Sequence, residues 1–261
     1  MTETKVPEAE TRSPDFPADA WTRIGMIVPS SNTVLEPYTQ AMVAPLANKV
    51  SVHFARMKVV EISLSAASQQ QFSGAPVVAA AAQLADARCD VVAWNGTSGS
   101  WLGAEGDEAL VSEIEAETGA RATTTTLAFR DAYRLLNVKT LGLVTPYVSE
   151  IQERIIKNYA DMSIEVSAER HLGDHGNFSF AEYSPELVAD LIREVAAAQP
   201  DAIAVVCTNF RGAIEAAALE REFGIPVLDS VAVTLWDCLR KAGVDPAPID
   251  GAGRLFQSHM S

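Results

Sequence analysis

The sequence predicts an α/β protein built from two pseudo-symmetric parallel-sheet units that arose by internal duplication. Three observations predict it. Short apolar runs bounded by turn residues alternate with amphipathic or Ala-rich segments of helical length. Three segments recur in the same order in the second half of the chain. The composition, 48 % hydrophobic and 21 % charged over 261 residues, is that of a globular chain able to bury a large core.

The apolar runs read as strands buried on both faces, which need no polar alternation. They are Arg23 to Val28, Val50 to Val59, Val91 to Trp94, Leu141 to Val144, Ile164 to Ser167, Ala202 to Val206 and Pro226 to Leu228. Helices are expected over Val77 to Ala87, Glu105 to Thr118, Ser149 to Tyr159, Pro185 to Ala198 and Gly212 to Phe223. Strand–helix alternation at this spacing gives parallel, Rossmann-like sheets covered on both sides.

The repeat is specific. Asp90 to Thr97 (DVVAWNGT) aligns without gaps on Asp201 to Thr208 (DAIAVVCT). Ile24 to Pro29 matches Leu141 to Pro146, and Phe129 to Arg134 matches Leu235 to Arg240. A first half over 21–137 and a second over 138–261 follow, meeting about a pseudo-twofold axis near residue 138. Residues 1–20, with Glu3, Glu8, Glu10 and Asp15 among three prolines, read as a flexible arm. The arm lacks the basic-then-apolar pattern of a secretory signal.

Charge excludes some functions. Twenty Lys and Arg against 34 Asp and Glu leave a net charge of −14 with no basic cluster, which argues against a nucleic-acid binder or a polybasic membrane protein. No apolar run reaches the ~18–20 residues of a spanning helix. Three cysteines without metal-type pairing, Cys89, Cys207 and Cys238, fit a reducing cytoplasm. His171 and His175 stand four apart, but Gly173 and Gly176 break any helix that would pair them on a metal. No dinucleotide fingerprint is present, so no cofactor is expected. Nothing in the sequence decides between a monomer and a homo-oligomer.

Ligands of parallel sheets bind beyond the carboxyl ends of the strands. Four small, polar loops occupy those ends: Pro29 to Thr33, Asn95 to Gly99, Thr145 to Tyr147 and Cys207 to Asn209. Facing each other across the pseudo-twofold, they would form one cleft between the halves. Backbone amides at helix N-termini there suit an anion, and a small carboxylate is the expected ligand.

These strand-end sequences resemble the aspartate/glutamate racemase superfamily. Val28-Pro29-Ser30-Ser31-Asn32-Thr33 is similar to the first loop of maleate isomerases, and Gly96-Thr97-Ser98 resembles the loop of arylmalonate decarboxylases. The resemblance runs from about Arg23 to Gly243. It implies cofactor-free chemistry at a carbon next to a carboxylate, through an enediolate. It also implies roles. Cys207 would be the acid/base, protonating the intermediate from one face. Gly96 would leave room for substrate where the two-cysteine members carry a first thiol. Thr97, Ser98 and Tyr147 would hold the retained carboxylate. Asn32 matches a carboxylate-contacting asparagine of the isomerases, and Ser31, Asn177, Thr208 and Asn209 would line the cleft with it.

Each residue also has a plainer reading. Cys207 could be a small core residue, Gly96 a turn glycine at positive φ, Thr97 and Ser98 helix N-caps, and Tyr147 an amphipathic rim tyrosine. Trp94 reads as core, and Asp131 and Asp237 as a cap or ion pair. The family's racemases and isomerases use two cysteines; here only Cys207 stands. Decarboxylation, which needs one proton donor, is therefore the expected reaction. Isomerisation or racemisation of a small dicarboxylate or amino acid is the alternative, and a hydrolase using Cys207 as nucleophile lacks a well-placed histidine. A non-catalytic carboxylate-binding protein is the reading from another class.

Overall fold

The computed structural model describes residues 21–59, 62, 71–72 and 74–258. The arm expected over 1–20 lies outside the described residues. The first sheet is formed by β1 (Thr22–Pro29), β2 (Val50–Met57), β3 (Val91–Trp94) and β4 (Arg121–Thr124), in the order β2-β1-β3-β4. The second comprises β5 (Thr140–Thr145), β6 (Glu165–His171), β7 (Ala202–Val205) and β8 (Val227–Asp229), in the order β6-β5-β7-β8. Every pairing is parallel.

The two sheets share one topology, and their central strand pairs share one register, while β5 and β6 slip by one residue at Leu141/Gly142 where β1 and β2 do not. Ile24 pairs with Val91 as Leu141 pairs with Ala202, matching the offsets of the repeat. The first residue of the longest repeat segment shows why it recurs. Asp90 Oδ2 accepts the Arg23 amide at 2.8 Å, and Asp201 Oδ2 accepts the Thr140 amide at 2.7 Å. In each half this carboxylate pins the start of one central strand to the start of its neighbour. A second mirrored bracket joins helix to edge strand: Glu115 Oε1 accepts the Ala122 amide, and Glu220 Oε1 the Val227 amide. The central strands β1, β3, β5 and β7 are buried along most of their length, as their unbroken apolar runs require.

Helices α1 (Leu35–Val43), α2 (Gly74–Asp86), α3 (Gly99–Leu102), α4 (Ala104–Thr118) and α5 (Thr125–Leu135) belong to the first half. The second half holds α6 (Ser149–Asp161), α7 (Pro185–Ala196), α8 (Ala213–Phe223) and α9 (Ser230–Ala242). The five helices expected from periodicity are present within a few residues. Helices α5 and α9 carry the repeat segments around Asp131 and Asp237, and three elements had no sign in the sequence pattern. Helix α1 follows the Pro29 to Thr33 loop, and α3 is a single turn. Strand β4 lies partly in the Thr123 to Thr126 run, which has no apolar pattern to announce it. Thr124 ends that strand and caps α5, its hydroxyl accepting the Leu127 amide at 3.1 Å. Asp229 does the same for α9 at the end of β8.

The halves meet along α5 and α9. Arg240 Nη2 contacts Asp131 Oδ2 at 2.6 Å and Asp237 Oδ1 at 2.5 Å, so the two repeat-mate aspartates form ion pairs with one guanidinium. Thr234 Oγ1 donates to Thr125 Oγ1 at 2.8 Å beside them. No described helix is long and apolar enough to cross a membrane.

Candidate active site

All four strand-end loops converge at the seam, and their side chains bond across it. Asn32 Nδ2 donates to Thr208 Oγ1 at 3.1 Å, and Thr208 Oγ1 donates in turn to the Asn95 carbonyl at 3.1 Å. The Thr33 amide donates to Asn209 Oδ1 at 2.9 Å, while Asn209 Nδ2 donates to the Asn177 carbonyl at 2.6 Å. Asn177 Nδ2 and Ser31 Oγ both reach the Val59 carbonyl, at 3.4 and 2.9 Å. Thr97 Oγ1 and the Tyr147 hydroxyl are 2.6 Å apart. Asn32, Thr97, Ser98, Tyr147, Asn177, Cys207, Thr208 and Asn209 are all buried; Ser31 is half-buried. In a site this dry, hydrogen bonds act at low dielectric and an unmade one is costly.

Cys207 sits at the end of β7, its amide donating to Ser230 Oγ at 2.9 Å, and Ser230 Oγ donating to the Val205 carbonyl at 2.9 Å. Ser230 opens α9 and fixes the turn that presents the thiol; the sequence reading passed over it. Burial pushes the Cys207 thiol up to about 12. The neighbouring Tyr147 hydroxyl and the Asn209 amide pull it back, and Asp229 and Asp174 add to the rise. The thiol therefore stays protonated at neutral pH. Cys89 and Cys238 are also buried and free, so burial alone does not single out Cys207; its loop partners do.

Tyr147 is walled in, not at a rim. It is 2 % exposed, and its ring meets Trp101 and Phe180 edge-on at 5.2 and 5.6 Å. Burial raises its hydroxyl well above the ordinary phenol range, so it too is protonated. Ser98 occupies the N-cap position of α3 without making a side-chain cap bond, and the Thr97 hydroxyl is engaged by Tyr147. Neither hydroxyl is used as a helix cap. Asn32 has a structural duty: its Oδ1 accepts the Val34 and Leu35 amides at 3.0 and 2.9 Å, starting α1.

Gly96 differs from both of its sequence readings. Its φ is not positive, so no left-handed turn demands a glycine. Nor is the space beside it open. A Cβ at position 96 would lie 2.2 Å from Trp94 Cζ2, 2.3 Å from Cε2 and 2.6 Å from Nε1. The Trp94 indole fills the volume that a first-half thiol would begin to occupy. Behind this loop lies a cavity of about 140 Å³ lined by Trp94, Ser98 and Asp107 among others. Asp107 is buried there, its carboxyl raised to about 6 by desolvation and bonded by Thr124 Oγ1 at 2.6 Å.

Two histidines are engaged elsewhere. His171 bonds Glu169 and Ser149, and His53 bonds Ser51. Among the described residues no group of three or more His, Cys, Asp and Glu is placed to hold a metal ion.

The model of the arylmalonate decarboxylase family matches residues 24–256, nearly the whole described chain. The chain belongs to the arylmalonate decarboxylase family. Its relatives carry two names. The arylmalonate decarboxylase of Bordetella bronchiseptica is 31 % identical over 169 residues, covering 64 % of this chain and 70 % of its own. The maleate isomerase of Geobacillus stearothermophilus is 24 % identical over 246 residues, covering 90 % of this chain and 96 % of its own. Among solved structures, a cysteine-to-serine mutant of the Nocardia farcinica maleate cis-trans isomerase, holding a covalently bound succinylcysteine intermediate, superposes with a TM-score of 0.84. It is 23 % identical and covers 92 % of this chain and all of its own, so it shares the fold. The resemblance read from the strand-end loops is thus borne out at the level of the family, whose named relatives are enzymes.

Proposed function

We propose that this family member is a cofactor-independent decarboxylase of a malonate-type acid, with Cys207 as its single proton donor. The observation that carries the reading is the asymmetry of the two repeat-mate positions. Position 207 presents a buried, protonated thiol, whereas position 96 has no side chain and the Trp94 indole lies against it. A racemase needs an acid on one face of the carbanion and a base on the other. One thiol suffices when loss of carbon dioxide itself generates the carbanion.

In this reading the retained carboxylate lies against Thr97, Ser98 and Tyr147. The bond from the central carbon to the second carboxyl breaks, and its electron pair spreads into the retained carboxylate as an enediolate. Carbon dioxide leaves. Hydroxyl donors fixed in a dry site meet the growing charge without having to reorganise. The Cys207 S–H then gives its proton to carbon, a far stronger base than a thiolate, and solvent restores the thiol. Delivery from one face yields one enantiomer.

The competing reading is cis–trans isomerisation of maleate, the activity named for relatives that match over 90 % of the chain. It is favoured by that coverage and by Asn32. The cysteine-to-serine mutant of the N. farcinica isomerase still holds a succinylcysteine, which forms when a thiolate adds to the substrate; position 96, where the two-cysteine members carry their first thiol, has no side chain here to do so.

The test is turnover followed by proton NMR with 2-methyl-2-phenylmalonate, maleate and small amino acids offered separately, wild type beside Cys207→Ala. Release of 2-phenylpropionate by the wild type and its loss in the variant are expected. Conversion of maleate without malonate turnover would establish the isomerase instead. Full-rate decarboxylation by Cys207→Ala would remove Cys207 from its role.

A further inference from the structure

Asn95 stands between Trp94 and Gly96 in the loop that carries Thr97, and its mate in the second half is Val206. It is fully buried. Its amide donates to the Ile27 carbonyl at 3.0 Å, and its carbonyl accepts Thr208 Oγ1. The side-chain Nδ2 donates to the Ala93 carbonyl at 3.1 Å. Because a carbonyl only accepts, that bond fixes which end of the carboxamide is which. The other end, Oδ1, is buried and has no hydrogen-bond partner.

A buried acceptor left unpaired costs free energy and calls for an explanation. The repeat shows that the fold does not need it, since valine serves at the mate position. By contrast, the side chains of Asn32, Thr97, Asn177, Thr208 and Asn209 in the same loop cluster each have a partner in the protein. We infer that Asn95 Oδ1 receives a hydrogen bond from the substrate, and that the substrate of the decarboxylation proposed above carries a donor, a hydroxyl or amino group, on its central carbon. The inference rests on that reading for the reaction. The carboxylates of the substrate do not meet the requirement, because at neutral pH they are acceptors and a carbonyl oxygen repels them. Maleate has no donor at all. A malonate substituted with hydroxyl or amine does, and an acceptor in a dry pocket discriminates strongly for the group that satisfies it.

The test uses binding, so that it does not depend on turnover. Mandelate and 2-phenylpropionate differ by a hydroxyl in place of a methyl on the same carbon. Each enantiomer of both is titrated into wild type and Asn95→Leu by calorimetry, with thermal melts of both proteins. The wild type is expected to prefer the better-bound mandelate enantiomer by about tenfold or more, and Asn95→Leu to bring that ratio within about twofold of unity. The Asn95→Leu melting temperature is expected to match or exceed that of the wild type, because the variant removes an unpaired acceptor. An unchanged ratio, or a variant melting far below the wild type, overturns the assignment. If the ratio collapses as expected but no malonate is decarboxylated, the reaction fails and the subsite stands. If malonates are decarboxylated but the ratio is insensitive to Asn95, only the subsite fails. If neither acid binds, the subsite is overturned.

Discussion

Gly96→Ala is the sharpest structural perturbation available. The added methyl would stand 2.2–2.6 Å from three atoms of the Trp94 indole, where real carbon contacts rarely fall below 3.0 Å. Trp94 is 1 % exposed, so the indole cannot swing into solvent. Relief requires moving a packed ring by roughly an ångström, and such overpacking costs on the order of 3 kcal/mol. For a chain of this size that is a fall in melting temperature of about 6–12 °C. Differential scanning calorimetry of a two-by-two set, wild type, Gly96→Ala, Trp94→Leu and the double variant, reads it directly. Trp94→Leu lowers stability by opening a cavity, yet in that background Gly96→Ala should be nearly silent, because the obstructing ring is gone. An equal drop in both backgrounds, or a Gly96→Ala protein melting within about 1 °C of wild type, would refute the claim that Trp94 reserves this position for glycine. The same argument predicts that Gly96→Cys alone will not install a working second thiol.

Three further outcomes are expected. Burial raises the Asp229 carboxyl to about 7, against an ordinary 3.8. The unfolded chain therefore loses its proton first, and Asp229 lowers stability as pH climbs from about 4 through 7. Melts of wild type and Asp229→Asn from pH 5 to 8 should show the variant gaining relative to wild type as pH rises; a constant difference would contradict the shift. Tyr147→Phe removes one hydroxyl from the proposed carboxylate cradle and takes away the Thr97 partner, so kcat should fall about 10²- to 10³-fold and stability by about 1–3 kcal/mol, both readable from steady-state rates and denaturant titration. Arg240→Ala strips the guanidinium from Asp237, which is fully buried. A loss of about 3 kcal/mol or more in urea unfolding is expected, with kcat unchanged in the protein that remains folded.

Much of the architecture was legible in the chain because duplication wrote it twice. The Asp90 and Asp201 segments recur because each aspartate makes the same strand-start bond, and that repetition located the strand ends and so the loops. Strand β4 was invisible, since Arg-Ala-Thr-Thr has no apolar run and its place is set by the Glu115 bracket and by pairing with β3. Single-turn α3 has no counterpart to reveal it: Gly96 and Glu115 are 19 residues apart, Cys207 and Glu220 only 13. Within the site, residue types announced the loops but not their bonding. Asn32 was read as a substrate contact because it matches a carboxylate-contacting asparagine of the isomerases, whereas the fold also uses it to start α1 and to latch onto Thr208. Trp94 was read as core, and it is buried; that its ring covers the Gly96 position depends on a side-chain direction no pattern encodes. Ser230, 23 residues from Cys207 in sequence, becomes its support only through the parallel pairing of β7 with β8.

The central claim is that a single thiol protonates a single face. Decarboxylation of 2-methyl-2-phenylmalonate in D2O, followed by chiral separation and mass analysis of the product, tests it most directly. The account predicts one enantiomer of 2-phenylpropionate with one deuterium on the central carbon, and no such product from Cys207→Ala. A racemic product, or the same product at the same rate without Cys207, would contradict it.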